Sequence, residues 1–141
     1  MTIFIDTNVI LDVLLNRKDV VEESSSIWAL CERNIVKGYI SAISFNNTHY
    51  IINKVHSRKK ADQAVRTMLE TFEAVSLDKQ ILNKANDAGF KDFEDAIQYF
   101  SAIHCDADYL LTRNVKDFPQ KDFPVLEPSE FLALDLDGIG I

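Results

Sequence analysis

Short apolar runs alternate along this chain with segments of helical periodicity. The first run, Ile3-Phe4-Ile5, stops at Asp6 and gives way to apolar residues at helical spacing as far as Leu15. This pattern predicts a buried strand, a turn and a helix. Further strands are predicted over residues 39–43, 74–77, 109–112 and 125–126, and further helices over residues 20–33, 45–55, 61–72, 78–89, 92–104 and 129–134.

Strands that alternate with helices indicate βαβ units. The predicted fold is therefore a single three-layer α/β/α domain, with a mostly parallel central sheet and helices on both faces. We expect this domain to span residues 1–135, and residues 136–141, which include Gly138 and Gly140, to form a flexible C-terminal tail. In such sheets, ligands bind beyond the carboxyl ends of the strands.

The composition agrees with one compact domain: 141 residues, of which 47% are hydrophobic and 26% are charged. A net charge of −7 argues against nonspecific binding of nucleic acid, because a phosphate backbone repels acidic surfaces. One local basic segment could still attract a polyanion, although a solvated helix face is the simpler interpretation. Its main residues are Lys54, Arg58, Lys59 and Lys60.

The sequence gives no indication of secretion or of a disulfide framework. The longest apolar stretch is interrupted by Asp12 and is too short to span a bilayer, and no basic, apolar leader precedes the first strand. We therefore expect a cytoplasmic protein. Cys31 and Cys105 are interpreted as small core residues, because neither has a partner at metal-ligand spacing.

Asp6 is the first candidate for a functional residue. A carboxylate at the buried end of a strand loses solvation energy unless a cation or hydrogen bonds compensate for it. Its presence therefore suggests a catalytic or metal-binding role. The alternative is that Asp6 only caps the following helix through Thr7 and Asn8.

Further acids occur where the predicted topology could bring them near Asp6. Asp92 and Asp95 are three residues apart and would share one face of a helix. Asp92 could be no more than an N-cap, whereas Asp95 is flanked by Phe93, Ala96 and Ile97, a pattern that places it near the buried face. Asp117 follows the fourth strand and could belong to the same site or to an ordinary loop.

Carboxylates gathered at one place either take up protons or bind a cation. The available ligands are hard oxygens, and the three histidines lack zinc spacing, so the sequence favours Mg²⁺ or Mn²⁺. Such an ion suits the hydrolysis of phosphodiester bonds, because it makes hydroxide available near neutral pH and offsets negative charge in the transition state.

With these features the chain resembles the PIN-domain family, and within it the VapC-like toxin nucleases of bacterial type II toxin–antitoxin pairs. The resemblance covers nearly the whole domain in the family's order. It is carried by Phe4-Ile5-Asp6-Thr7-Asn8-Val9, Ile40-Ser41-Ala42-Ile43-Ser44, Asp92-Phe93-Glu94-Asp95-Ala96, Ala107-Asp108-Tyr109-Leu110-Leu111-Thr112-Arg113-Asn114 and Asp117-Phe118.

The resemblance implies an endoribonuclease that depends on Mg²⁺ or Mn²⁺, is often a homodimer, and is inhibited by a cognate antitoxin protein. Asp6 and Asp95 match the family's first and third acids, and Asp117 matches the fourth better than Asn114 does. These three acids are the expected catalytic and metal-binding residues, with Asp92 as a further ligand. The expected supporting residues are Asn47, Thr112, Asn114 and Asn8, and the expected RNA contacts are Arg113, Lys54, Arg58, Lys59 and Lys60.

One position departs from the family pattern. Asn47 stands where the family usually has an acid, so Asp92 or Asp12 would have to compensate for the missing charge. The alternative function is therefore a catalytically weak or inactive PIN-like protein that binds RNA or a partner. A haloacid-dehalogenase-like phosphatase is disfavoured, because its second aspartate would fall at Asn8.

Overall fold

The computed structural model describes residues 1–134. The strands are β1 (Thr2–Ile5), β2 (Lys37–Ser41), β3 (Glu73–Val75), β4 (Tyr109–Leu111) and β5 (Val125–Leu126). The helices are α1 (Thr7–Leu14), α2 (Val21–Glu32), α3 (Ala42–Val55), α4 (Arg58–Thr71), α5 (Lys79–Asp87), α6 (Phe93–His104) and α7 (Pro128–Leu132). A 3-10 turn spans Val115–Asp117.

The five strands form one sheet in the order β3-β2-β1-β4-β5, and every adjacent pair is parallel. The chain runs from β1 outward through β2 to β3, and then returns to the other side of β1 for β4 and β5. The order of the strands therefore reverses between β1 and β4. In open parallel sheets this switch point leaves a crevice at the carboxyl ends of the strands.

Side chains of β1 alternate between the two faces of the sheet. Ile3 and Ile5 belong to a core that includes Trp28 and Phe131, on the side of α1, α2, α4 and α7. Phe4 belongs to a second core on the side of α5 and α6. Because both faces are covered, Ile3, Phe4 and Ile5 are all fully buried, as expected for a central parallel strand. The predicted three-layer α/β fold is confirmed.

The ends of three predicted strands were wrong. The fourth strand, predicted over residues 109–112, ends at Leu111. The second strand was predicted to continue to Ile43, but β2 ends at Ser41, whose Oγ accepts a hydrogen bond from the backbone N–H of Ile43 and so caps α3. The third strand was predicted to include Leu77, but β3 ends at Val75. The apolar runs of the second and third strands continue past the strand ends, and hydrophobicity alone does not mark those ends.

Two other predictions concern the ends of helices. The first residue of α6, Phe93, was predicted to face inward, but its side chain is 48% exposed. The last helix, predicted over residues 129–134, begins at Pro128 and ends at Leu132. The predicted flexible tail at residues 136–141 lies outside the described residues. In residues 1–134 no helix is both long enough and apolar enough to cross a membrane.

Gly38 provides a test of the packing between β2 and its neighbours. A Cβ at this position would lie 2.6 Å from Cys31 Sγ and 2.9 Å from Phe72 Cδ1. Because both neighbours are buried, we expect Gly38→Ala to lower the free energy of unfolding by about 1 to 3 kcal/mol, measured by urea denaturation. Adding Cys31→Ala removes the closest clash and should recover part of the loss. Unchanged stability of Gly38→Ala would contradict this packing.

Candidate active site

Asp6 lies at the switch point of the sheet. Its backbone N–H donates to the carbonyl of Leu111 at 2.9 Å, so the pairing of β1 with β4 continues one residue beyond β1. Its side chain is only 3% exposed, and its Oδ2 accepts a 2.8 Å hydrogen bond from the hydroxyl of the fully buried Thr112. The backbone N–H of Asn114 donates to the same hydroxyl oxygen at 3.1 Å. Thr112 therefore holds Asp6 in one orientation.

Capping of α1 does not by itself account for the buried carboxylate of Asp6. Asp6 occupies the N-cap position of α1, but its side chain accepts no capping hydrogen bond from the helix. Burial raises the pKa of Asp6, and this effect is only partly offset by Thr112, by Gln98 and by the backbone amides of Asn8 and Thr7. The ionised carboxylate thus remains costly where it lies, as expected for a group that binds a cation.

Two polar residues near Asp6, Gln98 and Ser44, were not predicted to belong to the site. Gln98 on α6 is buried, and its Oε1 accepts from the backbone N–H of Thr7 at 3.2 Å. The hydroxyls of Thr7 and Ser44 are 2.6 Å apart and hydrogen-bonded. These contacts connect α1 to α6 and α3 around the carboxylate. Only the buried positions of these polar side chains mark them as part of the site.

The N-terminal end of α6 supplies further acids. Asp92 is exposed and caps the helix, since its Oδ1 accepts from the backbone N–H of Asp95 at 3.1 Å. Asp95 is half-buried. Burial is the main cause that raises the pKa of Asp95 to about 7, and the next causes are the charges of Asp92, Asp6 and Asp117. Acids next to β1, at the start of α6 and in the 3-10 turn therefore all raise the pKa of Asp95, although they are distant in the sequence.

Glu94 is an acid that the sequence analysis quoted within a motif but did not assign to the site. Its Oε1 accepts a hydrogen bond from Nδ2 of Asn47 on α3. Burial raises the pKa of Glu94, Asn47 lowers it in part, and the charges of Asp6 and Asp92 raise it further. Asn47 therefore orients the carboxylate of Glu94. The sequence signal available was the adjacent pair Glu94-Asp95 at the start of a helix.

A cavity of about 370 Å³ opens beside the start of α6. It is lined by Lys91, Asp92, Asp95, Lys116 and Asp117. Within residues 1–134, no three acidic, histidine or cysteine side chains lie close enough together to hold a metal ion by direct contacts alone. Mg²⁺ commonly binds through one or two carboxylates and keeps several waters. Hard oxygen ligands, a raised carboxyl pKa and an open cavity fit an ion of this kind.

Asp12 was one of two acids expected to compensate for the charge missing at Asn47, but it is paired with cations instead. Its carboxylate is fully buried against two arginines, with Arg17 Nη1 3.3 Å from Oδ1 and Arg113 Nε 2.8 Å from Oδ2. The direction of the Arg113 N–H does not give a proper hydrogen bond, whereas the Ser24 hydroxyl donates to Oδ2 at 3.2 Å. Arg113 is therefore part of a buried ion cluster, with about a third of its side chain exposed.

The predicted basic segment lies at the turn between α3 and α4. Lys54 follows Asn47 by seven residues on α3, which is about 10 Å along the helix axis. Arg58 is 3.8 Å from Asp62, so part of its charge is already compensated. The exposed residues of this segment are Lys54, Arg58, Lys59 and Lys60.

The raised pKa of Asp95 predicts how stability depends on pH. A carboxyl with a raised pKa in the folded state contributes stability below its unfolded pKa, and this contribution is lost as pH rises through the folded value. In EDTA, we expect the free energy of unfolding to fall as pH rises from about 4 to about 7. Asp95→Asn should gain about 1 to 2 kcal/mol over the wild type at pH 8, a value discounted for solvent screening.

Urea denaturation at a series of pH values measures this dependence. Asp87→Asn is the matched control, because Asp87 is exposed and does not act on Asp95. The control should run parallel to the wild type. Identical pH profiles for Asp95→Asn and the wild type would refute the coupling.

Comparisons with known proteins agree with this architecture. Ribonuclease VapC1 of Aquifex aeolicus (strain VF5) is 28% identical over 134 residues, which are 92% of each chain. Among solved structures, VapBC2 of Rickettsia felis superposes with a TM-score of 0.69 and 15% identity, over 89% of this chain and 97% of that one. VapBC-1 of nontypeable Haemophilus influenzae gives 0.67 and 18%, over 92% and 99%.

These structural likenesses concern the fold, since their sequence identities are low. The family model matches residues 2–116, a range that includes Asp6, Asp92, Asp95 and Thr112 and ends one residue before Asp117. A sheet of five parallel strands, with Asp6 directly after the carboxyl end of β1, accompanies this match. The chain belongs to the PIN domain family.

Proposed function

We propose that this protein is a metal-dependent endoribonuclease, the toxin of a VapBC-type toxin–antitoxin pair. The observation that carries the proposal is the cavity that Asp92, Asp95 and Asp117 line together. Burial and the charges of neighbouring acids raise the pKa of Asp95 there to about 7. The PIN domain match and the likeness to a VapC ribonuclease and to VapBC structures support the same activity.

The residues that would hold Mg²⁺ or Mn²⁺ are Asp6, Asp95 and Asp117, directly or through water, with Asp92 and Glu94 beside them. When bound, the ion would lower the pKa of a water and offset charge on the phosphate. Thr112 keeps one oxygen of Asp6 fixed by its hydrogen bond. Asn47 holds Glu94 in the same way. Such support matters because a carboxylate that turns freely binds a cation less well.

RNA is the proposed substrate, and the cytoplasm is the proposed location of the activity. Arg113 could contact its backbone through the third of the side chain that is exposed, while the rest remains with Asp12. The exposed cations at the α3–α4 turn would reach RNA farther from the acids, because Lys54 lies beyond Asn47 along α3 and the other three begin α4. These are Lys54, Arg58, Lys59 and Lys60.

A cognate antitoxin and a second copy of the chain complete the proposal. Several structural neighbours are toxin–antitoxin complexes, including one from Klebsiella pneumoniae. An inhibitory partner is consistent with a cavity that opens to solvent in front of the acids. Coexpression with the protein of the neighbouring reading frame, followed by measurement of the mass of the complex, tests both the antitoxin and the homodimer.

A catalytically weak PIN-like protein that binds RNA or a partner is the second candidate. One observation favours it: within residues 1–134, no three potential ligands already form a compact metal-binding group. Calorimetry with Mn²⁺ separates the two candidates. Binding below the millimolar range supports the nuclease, and no binding at millimolar metal supports the second candidate.

Cleavage of RNA in the presence and absence of metal is the direct test. We expect Mn²⁺ or Mg²⁺ to support cleavage of single-stranded RNA and EDTA to stop it. Asp95→Asn should lose the activity, and Asp87→Asn should keep it, since both variants remove one carboxylate but only Asp95 lines the cavity. Cleavage that persists in EDTA, or equally in Asp95→Asn, would overturn the proposal.

A further inference from the structure

The cavity in front of the acids also contains two lysines. Lys91 lies in the loop before α6 and directly precedes Asp92, and Lys116 lies in the 3-10 turn and directly precedes Asp117. Two separate segments of the chain therefore each bring one cation and one carboxylate to the same cavity. Neither lysine belongs to the basic segment at the α3–α4 turn.

Both ammonium groups are available to an anion. Lys91 and Lys116 are exposed, and among residues 1–134 neither forms an ion pair within 4.0 Å, although three carboxylates line the same cavity. Lysines that served only to neutralise these acids would contact them. By contrast, Arg17 and Arg113 are paired with Asp12.

The negative charge of the protein explains why cations at this cavity would help a phosphate to bind. The protein carries a net charge of −7 and repels a polyanion at long range. A phosphate that approaches the acids also meets the local field that raises the pKa of Asp95. Cations at the cavity itself offset this repulsion at short range, where it is strongest. A lysine suits this task, because its compact charge on a flexible stem contacts phosphate without reading the base.

We propose that Lys91 and Lys116 bind the RNA phosphates next to the one that is placed at the acids. The inference rests on the proposed function for its substrate, and it assigns the main phosphate contacts to the cavity. Recognition at these two positions would be of the RNA backbone and independent of base sequence.

Binding without cleavage tests the inference separately from catalysis. The anisotropy of a fluorescently labelled single-stranded RNA is measured in EDTA at a series of KCl concentrations, with the wild type and with the double variant Lys91→Ala/Lys116→Ala. The double variant should bind about 10- to 30-fold more weakly at 0.1 M salt. The slope of log K against log salt should become shallower by about 0.7 for each lysine lost.

The matched control is Lys79→Ala/Lys84→Ala. Both of these lysines are exposed on α5 and outside the cavity, so the control changes the net charge by the same amount. It should leave the salt slope unchanged. Thermal unfolding of both double variants should match the wild type, because exposed side chains are replaced. Mn²⁺ binding in the absence of RNA should be undiminished in the cavity variant, which distinguishes phosphate binding from damage to the acids.

The outcomes separate the inference from the function on which it rests. An unchanged slope for the cavity variant, or an equal change in the control, overturns the inference even if Asp95→Asn has lost cleavage. A changed slope specific to the cavity variant supports it even if no metal supports cleavage. In that case the cavity binds RNA but does not cut it.

Discussion

Asp6→Asn is expected to lower the rate of RNA cleavage by at least about 100-fold, since removing a group that merely supports a metal ligand already costs about 10- to 100-fold. The variant retains the shape of the side chain and an oxygen that can accept a hydrogen bond from the hydroxyl of Thr112. It lacks the charge that would attract the cation. Its Mn²⁺ affinity, measured by calorimetry, should fall together with the rate.

A gain in stability together with the loss of activity would distinguish the loss of a metal ligand from misfolding, which lowers stability. Burial raises the pKa of Asp6, so the ionised carboxylate destabilises the metal-free fold. Asp6→Asn should therefore unfold at a higher urea concentration than the wild type at pH 8 in EDTA. Thr112→Val should reduce cleavage less than Asp6→Asn does. A variant at Asp6 that cleaves RNA at the wild-type rate would exclude Asp6 from the site.

The double variant Arg17→Met/Arg113→Met is expected to cost about 3 to 5 kcal/mol of folding free energy, because it leaves the buried Asp12 carboxylate without a counter-charge. For a chain of this size, the midpoint of thermal unfolding should fall by about 10 to 20 °C. Ser24 alone donates too little to compensate, since it provides one neutral hydrogen bond.

Adding Asp12→Leu to the double variant provides the control. Replacing the whole ion cluster by apolar residues removes the buried charge, so the triple variant should recover most of the lost stability. If the triple variant is as unstable as the double variant, the loss comes from the arginine stems and not from the unpaired carboxylate. Circular dichroism during heating measures all three proteins under one set of conditions.

Much of the fold follows from the local pattern. The run Ile3-Phe4-Ile5 predicted β1 correctly, because a central parallel strand is apolar on both faces. The start of α5 was also predicted closely: Asp78, the first residue predicted for this helix, is its N-cap, and its Oδ1 accepts from the backbone N–H of Ile81 at 2.9 Å. Capping depends on residues within one turn, so short-range sequence is sufficient for it.

Some boundaries and exposures were not predicted. β2 ends two residues earlier than its apolar run suggests, because Ser41 turns the chain into α3. Phe93 was predicted from periodicity to face inward, yet this first residue of α6 is exposed. A periodic pattern indicates which residues share a face but does not indicate where the neighbouring element stops.

The candidate site divides in the same way. The order of acids along the chain was enough to nominate Asp6, Asp95 and Asp117, because carboxylates next to apolar runs stand out in any sequence. It could not distinguish Glu94 from a surface residue, since only the packing of α3 against α6 brings Asn47 to its carboxylate. It also could not show that Asp12 is committed to two arginines, one of them 101 residues away by sequence number.

The strands, the helices and the identity of the acids are therefore properties of the linear chain, because each depends on neighbours within a turn or two. The shared electrostatic field of those acids depends on the wound sheet, which brings the ends of β1 and β4 together and places the start of α6 beside them. Coulomb interactions fall off with distance in space and take no account of separation along the sequence. For that reason, only folding decides which carboxylates act as one site.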